Sequence, residues 1–183
     1  MLGVILMYVA IVLISNGIAG ICKIDARSQS IMNLFTGGLG LILNIISISI
    51  GVALDKDPAW YYASATGLLF AFTYLYIALN GIFKLDGRLY GWYSLFVAIN
   101  TIPAGILCFF GYGGNNWYGL IWWMWGVLWL TGWIANVAMR KSSEKSKRAF
   151  GLFSGWLSTI EGIITAWIPG FLILVNLWPA TGW

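Results

Sequence analysis

Six apolar runs, each long enough to cross a bilayer as a helix, take up almost the whole chain and leave only short polar breaks between them. A helical span needs about 20 apolar residues to match the hydrocarbon core. The runs cover about residues 2–22, 31–54, 60–83, 89–110, 117–139 and 150–178. In lipid the backbone must satisfy its own hydrogen bonds, so helices are the expected form. The breaks carry turn chemistry: Asp55-Lys56-Asp57-Pro58, Asp86-Gly87-Arg88 and Gly113-Gly114-Asn115-Asn116. With 183 residues the chain has no room for a sizeable soluble domain, and its 9% charged content is far below the quarter or so of soluble domains. These features predict an all-α integral membrane protein made of one transmembrane domain over residues 1–183. The first run starts at Leu2 with no basic residue before Lys23, so it reads as a retained helix and not a cleaved leader.

The basic residues set an orientation. All but Lys56 fall in the connections after the first, third and fifth runs: Lys23 and Arg27, Lys84 and Arg88, then Arg140, Lys141, Lys145, Lys147 and Arg148. Basic loops stay cytoplasmic, which predicts that both termini face outward. The net charge of +4 is therefore topological and gives no reason to expect nucleic acid as a partner. Cys22 and Cys108 would lie a membrane thickness apart, too far for a disulfide. No cofactor or metal set is legible.

An internal repeat runs through the chain. The first, third and fifth runs each carry an asparagine near the basic end, Asn16, Asn80 and Asn136, and two continue alike as Asn16-Gly17-Ile18 and Asn80-Gly81-Ile82. The returning runs also rhyme, in Ile102-Pro103-Ala104-Gly105 and Ile168-Pro169-Gly170. The pattern predicts three repeated two-helix hairpins in a twisted bundle around a central pore.

Few residues offer chemistry. The chain has no histidine, which removes the commonest base, ligand and proton shuttle. Five of its six acids lie in connections; Glu161 alone falls inside an apolar run. An intramembrane carboxyl is a functional candidate by default, and in either protonation state it accepts hydrogen bonds from an N–H. One carboxyl makes a poor proton relay and has no nucleophile or metal beside it, so an enzyme is not expected. Trp60, Trp92, Trp117 and Trp178 sit where membrane interfaces fall, as ordinary anchors. The fifth run differs. Tyr118, Trp122, Trp125 and Trp129 are spaced by four, three and four, which places them on one helical face. Trp123 points away from that face. Phe70 and Tyr74 add a pair one turn apart on the third run. Such a stripe either packs a core or lines a slot that stacks on flat, polar, uncharged solutes.

The residues resemble the bacterial urea channel and amide transporter family. The resemblance rests on Met1-Leu2-Gly3, Tyr8-Val9 and Ile11-Val12-Leu13-Ile14-Ser15-Asn16-Gly17, on Ala65-Thr66-Gly67-Leu68-Leu69-Phe70, on Trp92-Tyr93-Ser94-Leu95-Phe96 through Asn100-Thr101-Ile102-Pro103, on Trp125-Gly126-Val127-Leu128-Trp129, and on Ile160-Glu161-Gly162 with Thr165-Ala166-Trp167-Ile168-Pro169. It implies a passive channel in the bacterial inner membrane, a homohexamer with one pore per protomer, and a functional link to a cytoplasmic urease or amidase. It also implies a pore lined by Leu6, Val9 and Leu13, by Phe70 and Tyr74, and by Trp122, Trp125 and Trp129, with Glu161 touching the solute. Tyr118 stands where an acid-gated member has tryptophan. Acid-gated members carry histidines in long outer loops; this chain has none, so no histidine-based acid gate is expected.

The expected mechanism is that a planar neutral solute sheds water and slides between aromatic faces, with hydrogen bonds to Glu161 and to indole N–H groups offsetting desolvation. Urea is the first solute this predicts. Acetamide and other short amides fit the same slot, and a proton-coupled transporter is the third reading.

Overall fold

The structure is a computed structural model and describes residues 1–178. Its helices are α1 (Leu2–Cys22), α2 (Ala26–Ala53), α3 (Pro58–Phe83), α4 (Arg88–Phe109), α5 (Asn116–Asn136), α6 (Glu144–Glu161) and α7 (Ile168–Leu174). A π-helical stretch, Gly162–Trp167, joins α6 to α7, and one 3-10 turn, Ala138–Lys141, follows α5. Treating α6, the π turn and α7 as one span, six helical stretches are long and apolar enough to cross a membrane. No strand occurs among the described residues.

The polar breaks act as helix caps. Asp25 accepts the backbone N–H of Arg27 and Ser28, Asp57 that of Trp60, Asn115 that of Tyr118 and Ser143 that of Ser146. With Asp25 as its cap, α2 begins at Ala26, a turn before the apolar run does. Lys23 and Lys84 close α1 and α3 in the left-handed conformation, with φ of 55° and 53°.

The spans form a closed ring. Each packs on its neighbours in sequence, and α1 closes the circle against α6, the π turn and α7. The packing alternates. It is extensive for α2 with α3, α4 with α5 and the sixth span with α1, and sparse for α1 with α2, α3 with α4 and α5 with α6. The close pairs therefore link one expected hairpin to the next, instead of lying within a hairpin. The shared Asn-Gly pair explains this. A Cβ on Gly17 would strike Thr159 and the Gly155 carbonyl of α6, and a Cβ on Gly81 would strike Ser30 and the Ala26 carbonyl of α2. Gly132 of α5 meets Ser94 of α4 in the same manner. Small residues let helix backbones approach where lipid gives no hydrophobic drive.

Bulky side chains are sorted by helix. Those at the centre come mostly from α1, α3 and α5, including Leu6, Val9, Phe70, Tyr74, Trp122 and Trp125. The buried residues of α2 are all small or polar. Large apolar residues such as Phe35, Ile42, Phe96 and Val127 face outward, as a lipid-solvated surface requires.

Candidate solute pathway

The aromatic stripe converges on one ring. Phe70 of α3 lies with its centroid 5.7 Å from Trp122, 4.7 Å from Trp125 and 4.7 Å from Trp129. Tyr118 meets Trp122 and Trp125 edge to face, and those two indoles meet each other at 5.3 Å and 84°. The four stripe residues are buried, whereas Trp123 is 40% exposed and stacks on Phe109. The period of 3.6 sorted these five side chains correctly.

Two cavities lie on either side of this cluster. One, of about 240 Å³, opens towards the basic end and is lined by Leu13, Phe70, Tyr74, Trp125 and Trp129 among others. The other, of about 130 Å³, opens towards the opposite end and is lined by Leu6, Val9, Phe70, Tyr118, Trp122 and Trp125. Phe70 and Trp125 belong to both walls, so they form the partition. No lysine, arginine, aspartate or glutamate side chain lines either cavity.

Hydrogen bonds lock the partition. The Trp125 indole donates to the Thr165 hydroxyl at 2.8 Å, and the Trp129 indole donates to the Thr73 hydroxyl at 3.0 Å. Both threonines pass the chain on to backbone carbonyls, Thr165 to Glu161 and Thr73 to Leu69. These two indole N–H groups are thus engaged inside the protein. The Trp122 indole makes no hydrogen bond among the described residues.

Glu161 is 1% exposed and sits where α6 passes into the π turn. Its Oε2 has no hydrogen-bond partner, and it is absent from both cavity walls. The backbone here is tightly held: a Cβ on Gly162 would lie 3.0 Å from Leu13 Cβ and Ile14 Cγ1 of α1. Pro103 is carried inside α4 without a π turn, so proline alone does not cause the one before Pro169. Single π turns inside α-helices recur at functional positions.

Sequence reasoning missed several polar walls. Asn16 and Asn33 exchange carboxamide hydrogen bonds at 3.0 and 2.6 Å, and Gln29 adds a third at 3.0 Å. Asn16, Gln29, Ser154 and Ser158 line the cavity at the basic end. Asn44 lines the opposite one. The available signal was an amide or hydroxyl inside an apolar run, the same signal that drew attention to Glu161.

Residues 1–177 match the profile of the AmiS/UreI family of transporters. The chain belongs to that family. It is 46% identical, over 97% of its length and the whole of the relative, to an acid-activated urea channel of Helicobacter pylori. It is 34% identical to a putative amidate substrates transporter protein of Mycolicibacterium smegmatis, covering 96% of this chain and 78% of that one. The fold superposes on the crystal structure of the Helicobacter pylori urea channel with a TM-score of 0.85 and 46% identity, over 98% of this chain and all of the other. Family membership and the six apolar helices make it a multi-pass membrane protein. Its relatives are channels and transporters, so it is a transporter and not an enzyme.

Proposed function

We propose that this protein is a passive channel that conducts urea across the bacterial inner membrane towards a cytoplasmic urease, without a histidine-based acid gate. One observation carries the reading: two cavities free of charged side chains lie on either side of a shared Phe70–Trp125 partition, with hydrocarbon and aromatic faces on both sides. A planar neutral solute stacks in such a space, while a dehydrated ion meets no opposing charge there. Leu6, Val9, Tyr118 and Trp122 form the outer compartment; Leu13, Tyr74 and Trp129 form the inner one. Glu161 stands off both cavity walls, and its unpaired Oε2 offers an acceptor to a solute N–H only when the partition moves to let the solute through. Both termini face outward, the basic loops are cytoplasmic, and six copies form the ring, each with its own pore.

The absence of histidine from the chain supports the missing gate. The similarity to an amidate transporter supports a second reading, a channel for acetamide and other short amides. Stopped-flow swelling of proteoliposomes tests both, with urea and acetamide run in parallel at pH 7.5 and pH 5. Fast, non-saturating urea entry at both pH values is the expected result. Acetamide entry without urea entry would move the protein to the second reading. Entry of neither, or steep acid activation of the native protein, would overturn the ungated channel.

A further inference from the structure

Five buried side-chain oxygens among the described residues lack a hydrogen-bond partner, on Asn44, Asn80, Ser94, Ser154 and Glu161. Of these residues, Asn44 alone lines the outer cavity, the smaller of the two and the one bounded by Trp122. Its carboxamide is held at one end only. Nδ2 donates to the Gly40 carbonyl one turn back on α2 at 2.7 Å, which fixes the amide's orientation and leaves Oδ1 over. Oδ1 faces Gly67 of α3, where a Cβ would lie 2.8 Å from Cγ and closer still to Oδ1. The room for this carbonyl exists because position 67 is a glycine, and Gly67 lines the same cavity.

An unpaired carbonyl 1% exposed within a membrane helix is costly, and leucine would fill the same volume without it. The Nδ2 hydrogen bond stays within α2 and so ties the amide to its own helix, leaving Oδ1 unpaired at the wall that α2 and α3 share with the outer cavity. Trp122, which lines the same cavity, carries the complementary group: an indole N–H with no partner among the described residues. A primary amide carries both matching ends, an N–H for an acceptor and a carbonyl for a donor.

We propose that Asn44 is a solute-contacting residue of the outer cavity, its carbonyl accepting an N–H of a primary amide while Trp122 donates to the amide carbonyl. The proposal rests on the channel reading above and names the group that selects amides within it. Asn44 replaces one of the water contacts an amide loses on entering the aromatic compartment. Water itself, small and able to hydrogen-bond in any orientation, does not depend on it.

The test measures urea, acetamide and water permeability in proteoliposomes of the full-length wild type, Asn44→Leu and Gly67→Ala. Asn44→Leu keeps the volume and removes the acceptor; Gly67→Ala keeps the acceptor and turns it out of place. Both variants are expected to lower urea and acetamide permeability by about fivefold or more, the worth of one lost desolvated hydrogen bond, with water within about twofold of wild type. Unchanged amide entry in Asn44→Leu, with wild type conducting, would overturn this assignment and leave the channel reading standing. Amide and water falling together would make Asn44 a packing residue and equally overturn it. If Asn44→Leu fails to reach the membrane, Gly67→Ala decides on the same readout; if neither assembles, Asn44 is a folding residue and the assignment is lost. A wild type passing neither amide would remove the channel reading itself.

Discussion

Phe70 of α3 and Trp125 of α5 meet edge to face, 4.7 Å between centroids and 80° between planes, and together they separate the two cavities. On the channel reading, this contact is expected to set which solutes pass. Phe70→Ala removes the ring that touches three indoles and joins the cavities into one wider path. Truncating a buried phenylalanine costs about 3–5 kcal/mol of stability. The ratio of methylurea to urea permeability is expected to rise several-fold, because the bulkier solute is held back most by the partition. Stopped-flow swelling with both solutes checks this; an unchanged ratio would place the constriction elsewhere.

Thr165 is the clamp behind that partition. Thr165→Val keeps the shape and deletes the hydroxyl that receives the Trp125 N–H. Leaving a buried donor orphaned costs about 1–3 kcal/mol. The unfolding midpoint in detergent should fall, and urea entry should fall with it as the indole loses its fixed position. Thr165→Ser, which retains the acceptor, should stay close to wild type on both counts. Equal loss in Val and Ser variants would mean that the methyl group, and not the hydrogen bond, sets the site.

The stripe at residues 118, 122, 125 and 129 was legible because helix periodicity is a local property of sequence. Glu161 was legible because a carboxyl in an apolar run stands out without knowledge of its neighbours. The partners of the stripe were not legible. Thr165 is 40 residues from Trp125 and Thr73 is 56 from Trp129, so only the closed ring brings them together. The Asn-Gly rhyme falls where close helix contacts recur, at Gly17 against α6 and Gly81 against α2, but which spans pack closest is not written in the order of the helices. Gly17 reaches across the ring closure to α6, which no local pattern reveals. The π turn at Gly162–Trp167 likewise has no signal, since α4 carries a comparable proline without one.

The contact between Asp86 and Arg88 should respond to acid only well below the range in which an acid gate would work. Asp86, in the connection between α3 and α4, accepts from the Arg88 side chain at 2.7 Å and from its backbone N–H at 3.0 Å. The Arg88 hydrogen bond holds the Asp86 carboxyl down to about 2, below its ordinary value of 3.8. A folded-state value below the unfolded one gives a contribution that is complete above about pH 4 and is lost as pH falls from 4 towards 2. The Ser28 hydroxyl lowers Asp25 in the same direction. The stability difference between wild type and Asp86→Asn should therefore be flat from pH 7.5 to pH 5 and fall away as pH drops from about 4 through about 2. Thermal unfolding of both proteins across that range checks it; a difference that changes between pH 7.5 and pH 5 would assign the titration to another group.

Gly37 and Gly38 are adjacent on α2 and should respond in opposite directions to the same substitution. A Cβ on Gly37 would lie 2.8 Å from the Leu75 nitrogen and 2.9 Å from the Ala71 carbonyl oxygen of α3. Those are backbone atoms of the close α2–α3 pair, and they cannot swing aside as a side chain would. Gly37→Ala must push the helices apart, with the cost of about 1–3 kcal/mol typical of overpacking. A Cβ on Gly38 meets nothing within 4 Å. There the substitution only trims the conformational freedom of the unfolded chain and raises helix propensity, worth about 0.5–1 kcal/mol in favour of the fold. Thermal unfolding in detergent should show Gly37→Ala below wild type and Gly38→Ala at or above it. Because the α2–α3 pair carries Asn44 and Gly67 on its far half, urea entry should drop in Gly37→Ala and persist in Gly38→Ala. Equal destabilisation by both would mean that α2 and α3 approach less closely than this packing describes.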